Sequence, residues 1–343
     1  MNADAVRNTP FSGLSPETVL AAVAQLGLQP DGRLLALNSY ENRVYRVGIE
    51  PAPELAGNPF ALDSAVVAKF YRDSRWSDAQ IREEHAFALE LAAAELAVAA
   101  PLLRDRESLH LHAGFRFAVF ACWRGSAPEL DLPEHRAMLG RTLGRLHAVG
   151  AQRRFAVRPS IDDWQCGATA RRQLLASGMI PPALEEKYAA VSAQLVEAVR
   201  ARWDATRDAR WQRLHGDCHL GNILWNAQGP VFVDLDDCLS GPVVQDLWML
   251  CSGSAAQQQR EWAEIMAGYA QFADFDSSQL SLVEPLRAVR MINHAAWIAA
   301  RWRDPAFPRA FPWFGEVRYW EKHVTELYEQ LETIEDPPLL RLC

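Results

Sequence analysis

The sequence predicts an α+β protein of two lobes, with an antiparallel sheet of five strands in residues 30–123 and helices in most of the remainder. Short segments of alternating apolar and polar residues, the pattern of half-buried strands, recur up to residue 123. Beyond residue 133, leucine and valine recur every three or four residues, which indicates amphipathic helices. The 343 residues, 49% of them hydrophobic, suffice for a core in each lobe. We therefore place an N-terminal lobe at 1–123 and a mainly helical C-terminal lobe at 124–343.

The predicted strands are bounded by turn residues. Two hairpins are expected, around the turn 38–42 and around Ala113-Gly114, with a further strand between them. The predicted strands are 34–37, 44–49, 65–71, 109–112 and 115–123. The segment Arg124-Gly125-Ser126 follows the last strand, and we interpret it as the hinge between the lobes.

Helix starts are marked by capping residues. Ser15-Pro16-Glu17 opens a helix to Leu26, and Ser77 with Asp78 opens one to about Leu96. Further helices are expected at about 257–272 and 279–303, and one beginning at Gln245. Most aromatic residues of the last 50 positions are expected in the core, with a wall of an acceptor pocket as the alternative.

Composition argues against several classes of protein. The net charge of −8 and the absence of any Lys/Arg run make a nucleic-acid or anionic-membrane partner unlikely. The first ten residues lack an apolar signal segment, and the most apolar window, 86–100, is interrupted by Glu90 and Glu95. The six cysteines form no C-x-x-C pair, so we expect free thiols in a cytoplasmic protein, which we take to be a monomer.

The segment 213–249 carries the residues with the clearest chemistry. Asp217 and Asn222 are separated by a tight loop, and a predicted hairpin from Ile223 returns the chain to Asp234. Carboxylate and amide oxygens are ligands that Mg²⁺ prefers, and an aspartate can accept the proton of an attacking hydroxyl. The three side chains therefore predict a site for phosphoryl transfer, with Asp217 as base and Asn222 and Asp234 as metal ligands.

Each of these residues also has an ordinary structural interpretation. A single Asp after Gly is usually a turn residue or a cap, and Lys69, in mid-strand, could be an edge-strand lysine that discourages aggregation. His215 and His219, at a spacing of four, raise the alternative of a zinc hydrolase, although Gly216 and the missing H-E-x-x-H glutamate disfavour it. The order and spacing of the set favour phosphoryl transfer.

The motifs H-G-D-x-x-x-x-N and V-D-L-D-D resemble those of the aminoglycoside phosphotransferase and choline kinase group, within the protein-kinase-like fold. The segments L-N-S-Y-E-N-R-V-Y at 37–45 and V-V-A-K-F-Y-R at 66–72 are similar to those of the bacterial stress response kinase A family of serine/threonine kinases. This resemblance extends over almost the whole chain. It implies a bilobal protein-kinase-like fold and an enzyme that uses ATP and Mg²⁺.

The resemblance also implies roles for individual residues. Asp217 matches the catalytic base, and Asn222 and Asp234 match the Mg²⁺ ligands, so Asp234 is counted with the catalytic residues. Lys69 matches the lysine that binds the nucleotide's phosphates. Ser39 matches a nucleotide-contacting serine, in a turn that lacks the G-x-G-x-x-G pattern of protein kinases.

Two further acids complete the expected site. Glu84 is our choice of ion-pair partner for Lys69, with Glu83 as the competitor and a solvated helical acid as the ordinary alternative. Asp246 resembles a buried acid that holds the catalytic loop by accepting backbone N–H bonds, and could otherwise be a plain acid at a helix N-terminus.

The acceptor is the open question, because the motif identifies the phosphate donor. The resemblance implies a serine or threonine hydroxyl on a protein, including the kinase itself. One alternative is a small-molecule hydroxyl kinase of the aminoglycoside, choline or homoserine type. Another is a nucleotide-binding scaffold without catalysis, which the presence of Lys69, Asp217, Asn222 and Asp234 disfavours.

Overall fold

A computed structural model describes residues 10–52, 61–73, 75–161, 167–206, 211–336 and 338–340. These residues form two compact units. The first contains the described parts of Met1–His135 together with Ala156–Arg158 and Leu220–Asp237, and the second contains those of Arg136–Phe155, Pro159–His219 and Cys238–Cys343. The lobe boundary between residues 123 and 124 stays a prediction.

The first unit is built on an antiparallel sheet of five strands. They are β1 (Pro30–Ala36), β2 (Arg43–Ile49), β3 (Ala61–Phe70), β4 (His110–His112) and β5 (Phe115–Trp123). Their spatial order is β1-β2-β3-β5-β4, and each neighbouring pair is antiparallel. The sheet confirms the predicted α+β fold class.

Lys69 lies on the central strand of this sheet. Its backbone is opposite Val44 of β2 on one side and opposite Ala118 of β5 on the other. Since the edges of the sheet are β1 and β4, the edge-strand interpretation of Lys69 is wrong. Lys69 is only 6% exposed, and a buried charge must be paired to be tolerated.

Two helices of the first unit begin where their caps predict. In α1 (Pro16–Gln25), the Ser15 side chain accepts a hydrogen bond from the Thr18 backbone N–H. In α2 (Asp78–Ala93), Ser77 and Gln80 form a reciprocal capping box. Residues of α1 share one buried core with the alternating apolar side chains of β3. Because side chains alternate along a strand, Lys69 points to the face of β3 opposite this core.

The hairpin predicted after Asn222 is present in the first unit. It consists of β7 (Ile223–Asn226) and β8 (Gly229–Phe232), with Ile223 opposite Phe232. Ser126 exchanges backbone hydrogen bonds of 3.0 and 2.8 Å with Trp225. A Cβ atom on Gly125 would lie 3.0 Å from Leu224 and 3.1 Å from the Trp225 carbonyl, so this close approach favours glycine.

Helices dominate the chain after residue 132. They are α3 (Pro133–Gly150), α4 (Ala168–Ala176), α5 (Pro182–Ala205), α6 (Ala255–Tyr269), α7 (Val283–Arg301), α8 (Ala306–Ala310) and α9 (Val317–Glu335). A two-stranded ladder pairs β6 (Gln212–Leu214) with β9 (Leu239–Gly241). The prediction of a helix beginning at Gln245 is wrong, because the chain there forms two short 3₁₀ segments, Val243–Asp246 and Trp248–Leu250.

The aromatic residues near the C-terminus lie in the core less often than predicted, because Trp297, Trp302, Phe311 and Tyr319 are partly exposed. Phe307, Phe314 and Trp320 are fully buried, whereas Trp313 is 37% exposed. Cys122, Cys218, Cys238 and Cys251 are free thiols, and Cys166 and Cys343 lie outside the described residues. Within the part of the chain that the structure describes, no helix has both the length and the apolar character needed to cross a bilayer.

Candidate active site

The β7–β8 hairpin brings Asn222 and Asp234 to the same end of a ladder. The Val233 backbone N–H donates to the Asn222 carbonyl at 3.0 Å, one residue before Asp234. Asp234 then adopts φ +57°, a left-handed conformation that is uncommon for residues other than glycine and is often found at functional sites. Its side chain is 51% exposed, so its carboxylate is accessible to a ligand.

Lys69 is surrounded by carboxylates. Its Nζ lies 2.9 Å from Asp234 Oδ1, 3.0 Å from Asp236 Oδ1 and 3.6 Å from Glu84 Oε1. Burial lowers the pKa of Lys69, but these three carboxylates raise it by more, so the net pKa lies well above its ordinary value. The ammonium group is therefore charged and held in a fixed position at neutral pH.

The two neighbouring glutamates of α2 have different partners. Glu84 is 2% exposed and forms the expected ion pair with Lys69. Glu83 instead accepts hydrogen bonds from the backbone N–H groups of Ala156, Val157 and Arg158. Burial raises the pKa of Glu84 to about 7, because the nearby Lys69 offsets only part of the desolvation.

Asp236 is a member of this cluster that the sequence analysis did not single out. It is 3% exposed and lies 2.6 Å from an Arg75 guanidinium nitrogen, while Arg75 also contacts Asp237 at 2.5 Å. Burial raises the pKa of Asp236, but Lys69, Arg75 and Arg158 together lower it below the ordinary aspartate range. The only sequence signal for Asp236 was the motif V-D-L-D-D, which places it two residues after Asp234.

The turn that contains Ser39 is held by arginine side chains. Arg72 donates from Nε to the Glu41 carbonyl at 2.8 Å, and its guanidinium pairs with the Glu41 carboxylate at 3.2 Å. The Asn42 side chain accepts a hydrogen bond from the Arg72 backbone N–H. The Phe11 ring lies 5.5 Å from the Arg72 guanidinium. These side-chain contacts therefore hold the turn in one conformation, which a glycine-rich loop would not have. Ser39 itself is partly exposed.

Asp217 lies in the second unit, next to two basic side chains. Its Oδ1 accepts a hydrogen bond from Arg290 of α7 at 2.6 Å, and its Oδ2 lies 3.4 Å from His219 Nε2. Burial raises the pKa of Asp217, but His219 and Arg290 outweigh it, and the pKa falls below the ordinary aspartate range. The carboxylate is therefore ionised at neutral pH and can accept a hydrogen bond.

Asp246 holds the loop that carries Asp217. It is fully buried, and its two oxygens accept hydrogen bonds from the backbone N–H groups of His215, at 2.7 Å, and Gly216, at 2.8 Å. His147 Nε2 lies 3.1 Å from the same carboxylate. The expected bracing contact is present, although Asp246 lies in a 3₁₀ segment. Gly216, at φ +87°, makes the turn that points both N–H groups at it.

The oxygen donors fit a hard divalent cation. Asn222 offers a carboxamide oxygen and Asp234 an exposed carboxylate, the donor types that Mg²⁺ takes alongside substrate phosphates. Over the described ranges, no group of three or more His, Cys, Asp or Glu side chains is arranged to hold a metal by protein ligands alone. A two-ligand site completed by phosphate oxygens is the arrangement that these residues suit.

Comparisons with known proteins agree with this chemistry. The model of the phosphotransferase enzyme family matches residues 33–282. The chain is similar to stress response kinase A of Escherichia coli and to serine/threonine protein kinase RdoA of Salmonella typhimurium, each 41% identical with 96% of both chains covered. Its fold is similar to that of amicoumacin kinase in complex with AMP-PNP and Ca²⁺, with a TM-score of 0.70, 17% identity, and coverage of 96% of this chain and 97% of the other. This chain therefore belongs to the phosphotransferase enzyme family and is a kinase.

Proposed function

We propose that this protein is an ATP- and Mg²⁺-dependent kinase that phosphorylates serine or threonine hydroxyls of proteins, itself included, in the cytoplasm. The observation that carries the proposal is the position of Lys69. Its ammonium group lies on a central strand, with Asp234, Asp236 and Glu84 within 3.6 Å. A cation held in this way has the charge and the fixed position needed to bind the phosphates of a nucleotide.

Asn222 and Asp234 would hold Mg²⁺ against those phosphates. When bound, the metal ion neutralises charge on the polyphosphate. The chain's own contribution is to fix the two donors, through the backbone bond from Val233 to Asn222 and the left-handed conformation of Asp234. Ser39 contacts the nucleotide from its turn, which Arg72 keeps in one conformation.

Asp217 orients the acceptor hydroxyl and accepts its proton as the phosphoryl group is transferred. Its lowered pKa makes it a weak base, which suits a reaction in which little negative charge develops on the attacking oxygen before transfer. Positioning of the acceptor hydroxyl by Asp217 is then a larger contribution to the rate than proton acceptance. Asp246 supports it by fixing the backbone two residues upstream of Asp217.

The choice of a protein acceptor rests on the relatives. One of the relatives that is 41% identical over 96% of this chain is named a serine/threonine protein kinase. The amicoumacin kinase, which was solved with its small ligand, is only 17% identical, a level at which the likeness supports the fold alone. The protein kinase is therefore favoured over the small-molecule hydroxyl kinase.

The experiment follows labelled phosphate from ATP. Purified protein is incubated with γ-labelled ATP and Mg²⁺, with and without a cell extract or a panel of amino alcohols and aminoglycosides. We expect label on serine or threonine of protein, and none with Asp217→Asn, which should still bind nucleotide. Labelling of an amino alcohol without protein labelling would establish the small-molecule kinase instead, and nucleotide binding without any transfer would establish a silent scaffold.

A further inference from the structure

Helix α7 places a basic surface next to the carboxylate that we assign as the base. Arg287 and Arg290 lie three residues apart on one face of α7, and we call them the basic face. His294 lies on the same face, but burial and the nearby Arg290 lower its pKa, so its ring is neutral at neutral pH. Val289, Ile292 and Ala296 are buried on the other side. The Arg290 side chain remains 45% exposed while it contacts Asp217.

Stability does not account for the Asp217–Arg290 pair. An ion pair whose arginine is nearly half exposed contributes little to folding, because water screens both charges. The contact also lowers the pKa of Asp217, which weakens it as a base. What the pair does provide is a guanidinium group within hydrogen-bonding distance of the atom that must receive the acceptor's proton.

That guanidinium group can interact with charged groups of an acceptor. A guanidinium carries five N–H donors in a planar fork, and the contact with Asp217 is made through one nitrogen, so the fork can bind a second anion. An acceptor with ammonium groups beside its hydroxyl would be repelled by Arg290. An acceptor with a carboxylate there would gain a charge-assisted hydrogen bond.

We propose that Arg290 determines acceptor specificity and that the preferred acceptor is a serine or threonine flanked by acidic residues. The acidic side chain binds the Arg290 guanidinium as the neighbouring hydroxyl approaches Asp217. As Arg290 shares its donors with the incoming carboxylate, its hold on Asp217 Oδ1 weakens, and that oxygen accepts the hydroxyl proton. Arg287 extends the basic face along the acidic segment. This inference rests on the proposed protein kinase function.

The two neighbouring side chains on this face of α7 are compatible with this role. Arg287 is partly exposed, pairs with Glu284 at 3.0 Å and stacks over the Trp248 ring at 4.7 Å, so its guanidinium is held in place. The His294 ring stacks on Trp297, with centroids 5.9 Å apart. Preorganised side chains lose less conformational entropy on binding than mobile ones do.

The test compares matched peptides. One carries a single serine flanked by aspartates, the second has alanines at the flanking positions, and the third has lysines. For the wild-type chain we expect kcat/KM to be about tenfold or more higher for the acidic peptide than for the alanine peptide, mainly through KM. The lysine peptide should be the poorest substrate.

Variants of Arg290 decide whether this side chain is the cause. Arg290→Gln should bring the acidic-to-alanine ratio close to one, and Arg290→Glu should reverse the preference toward the lysine peptide. Arg200→Gln is the matched control, because Arg200 is 52% exposed on α5 and pairs with Glu197 at 3.2 Å. It should keep the wild-type ratio. KM for ATP, measured in parallel, should be the same in all of these proteins.

Two results would overturn this inference but leave the proposed protein kinase function standing. They are serine phosphorylation without preference for the acidic peptide, and a preference that persists in Arg290→Gln. Failure of all peptides, together with rapid phosphorylation of an amino alcohol, would instead remove the proposed protein kinase function and this inference with it. A reversed preference in Arg290→Glu cannot arise from misfolding, so it would support the charge-selection role directly.

Discussion

Replacing Asp246 should destabilise the protein and slow the reaction together. Its carboxylate accepts two backbone N–H bonds, from His215 and Gly216, in a fully buried site. Hydrogen bonds to a charged group contribute about 1.5–3 kcal/mol each, and breaking a buried charged cluster by removing one partner costs about 3–5 kcal/mol. Asp246→Ala removes both acceptors, so we expect a loss of about 3–5 kcal/mol in the free energy of unfolding.

The milder variant should give a graded response. Asp246→Asn keeps one carbonyl oxygen, so one of the two backbone bonds can persist and the loss should be about 1.5–3 kcal/mol. Because Asp217 follows His215 by two residues, the loop shift should also lower kcat, by about 10- to 100-fold for Asp246→Ala.

Thermal melting and steady-state kinetics measure both effects. We expect the melting midpoint of Asp246→Ala to fall by on the order of 5–15 °C. Asp276→Ala is the matched control, because Asp276 is exposed and accepts one backbone N–H, from Ser278 at 3.0 Å. It should lose at most about 2 kcal/mol and keep its kcat. If Asp246→Ala melted within 2 °C of the wild type (roughly 1 kcal/mol) and kept its rate, the bracing role would be refuted.

Three further predictions follow from the first unit. Asp234→Asn should weaken nucleotide binding by about tenfold or more in Mg²⁺ but not in EDTA, by calorimetric titration; an equal loss in both would contradict metal binding. Glu84→Gln should raise KM for ATP, whereas Glu83→Gln should lower the melting temperature without changing KM, since only Glu84 contacts Lys69. Burial lowers the pKa of His85 to about 3, so the unfolded state binds the extra proton first as pH falls below 6.5. The raised pKa of Glu84 acts in the opposite direction in both proteins, so the His85 contribution is read as a difference: between pH 7.5 and pH 5, denaturant titrations should show the wild type losing about 2 kcal/mol relative to His85→Gln.

Local patterns were sufficient to predict most of the sheet and the start of each N-terminal helix. The alternation in residues 115–123 and the capping box at Ser77 are signals contained within a few residues, and the structure contains both elements. The segment after Gln245 shows the limit of such signals. Its residues permit an α-helix, but two of them turn inward to bind the Gly216 loop, and the chain forms short 3₁₀ segments instead.

Residues that act through distant partners could not be predicted in this way. Arg290 is 73 positions from Asp217, and its spacing along α7 is that of any exposed helical arginine. Arg75 is likewise 162 positions from Asp237. Only the fold brings these charges together, so a single sequence contains no local signal for either contact.

The three aspartates of V-D-L-D-D differ in burial, and burial determines which partners each carboxylate can bind. Asp234 has a side chain that is 51% exposed, so its carboxylate is available to a ligand, whereas Asp236 is 3% exposed and is committed to Lys69 and Arg75. Asp237 contacts Arg75 from a partly exposed position. A buried carboxylate between two cations costs desolvation but fixes both of them, because removing it would leave uncompensated charge. We therefore expect Asp236 to hold Lys69 in position and Asp234 to bind the ligand. The sequence pattern contains the right residue types, but it does not show that Asp236 is buried and Asp234 is exposed.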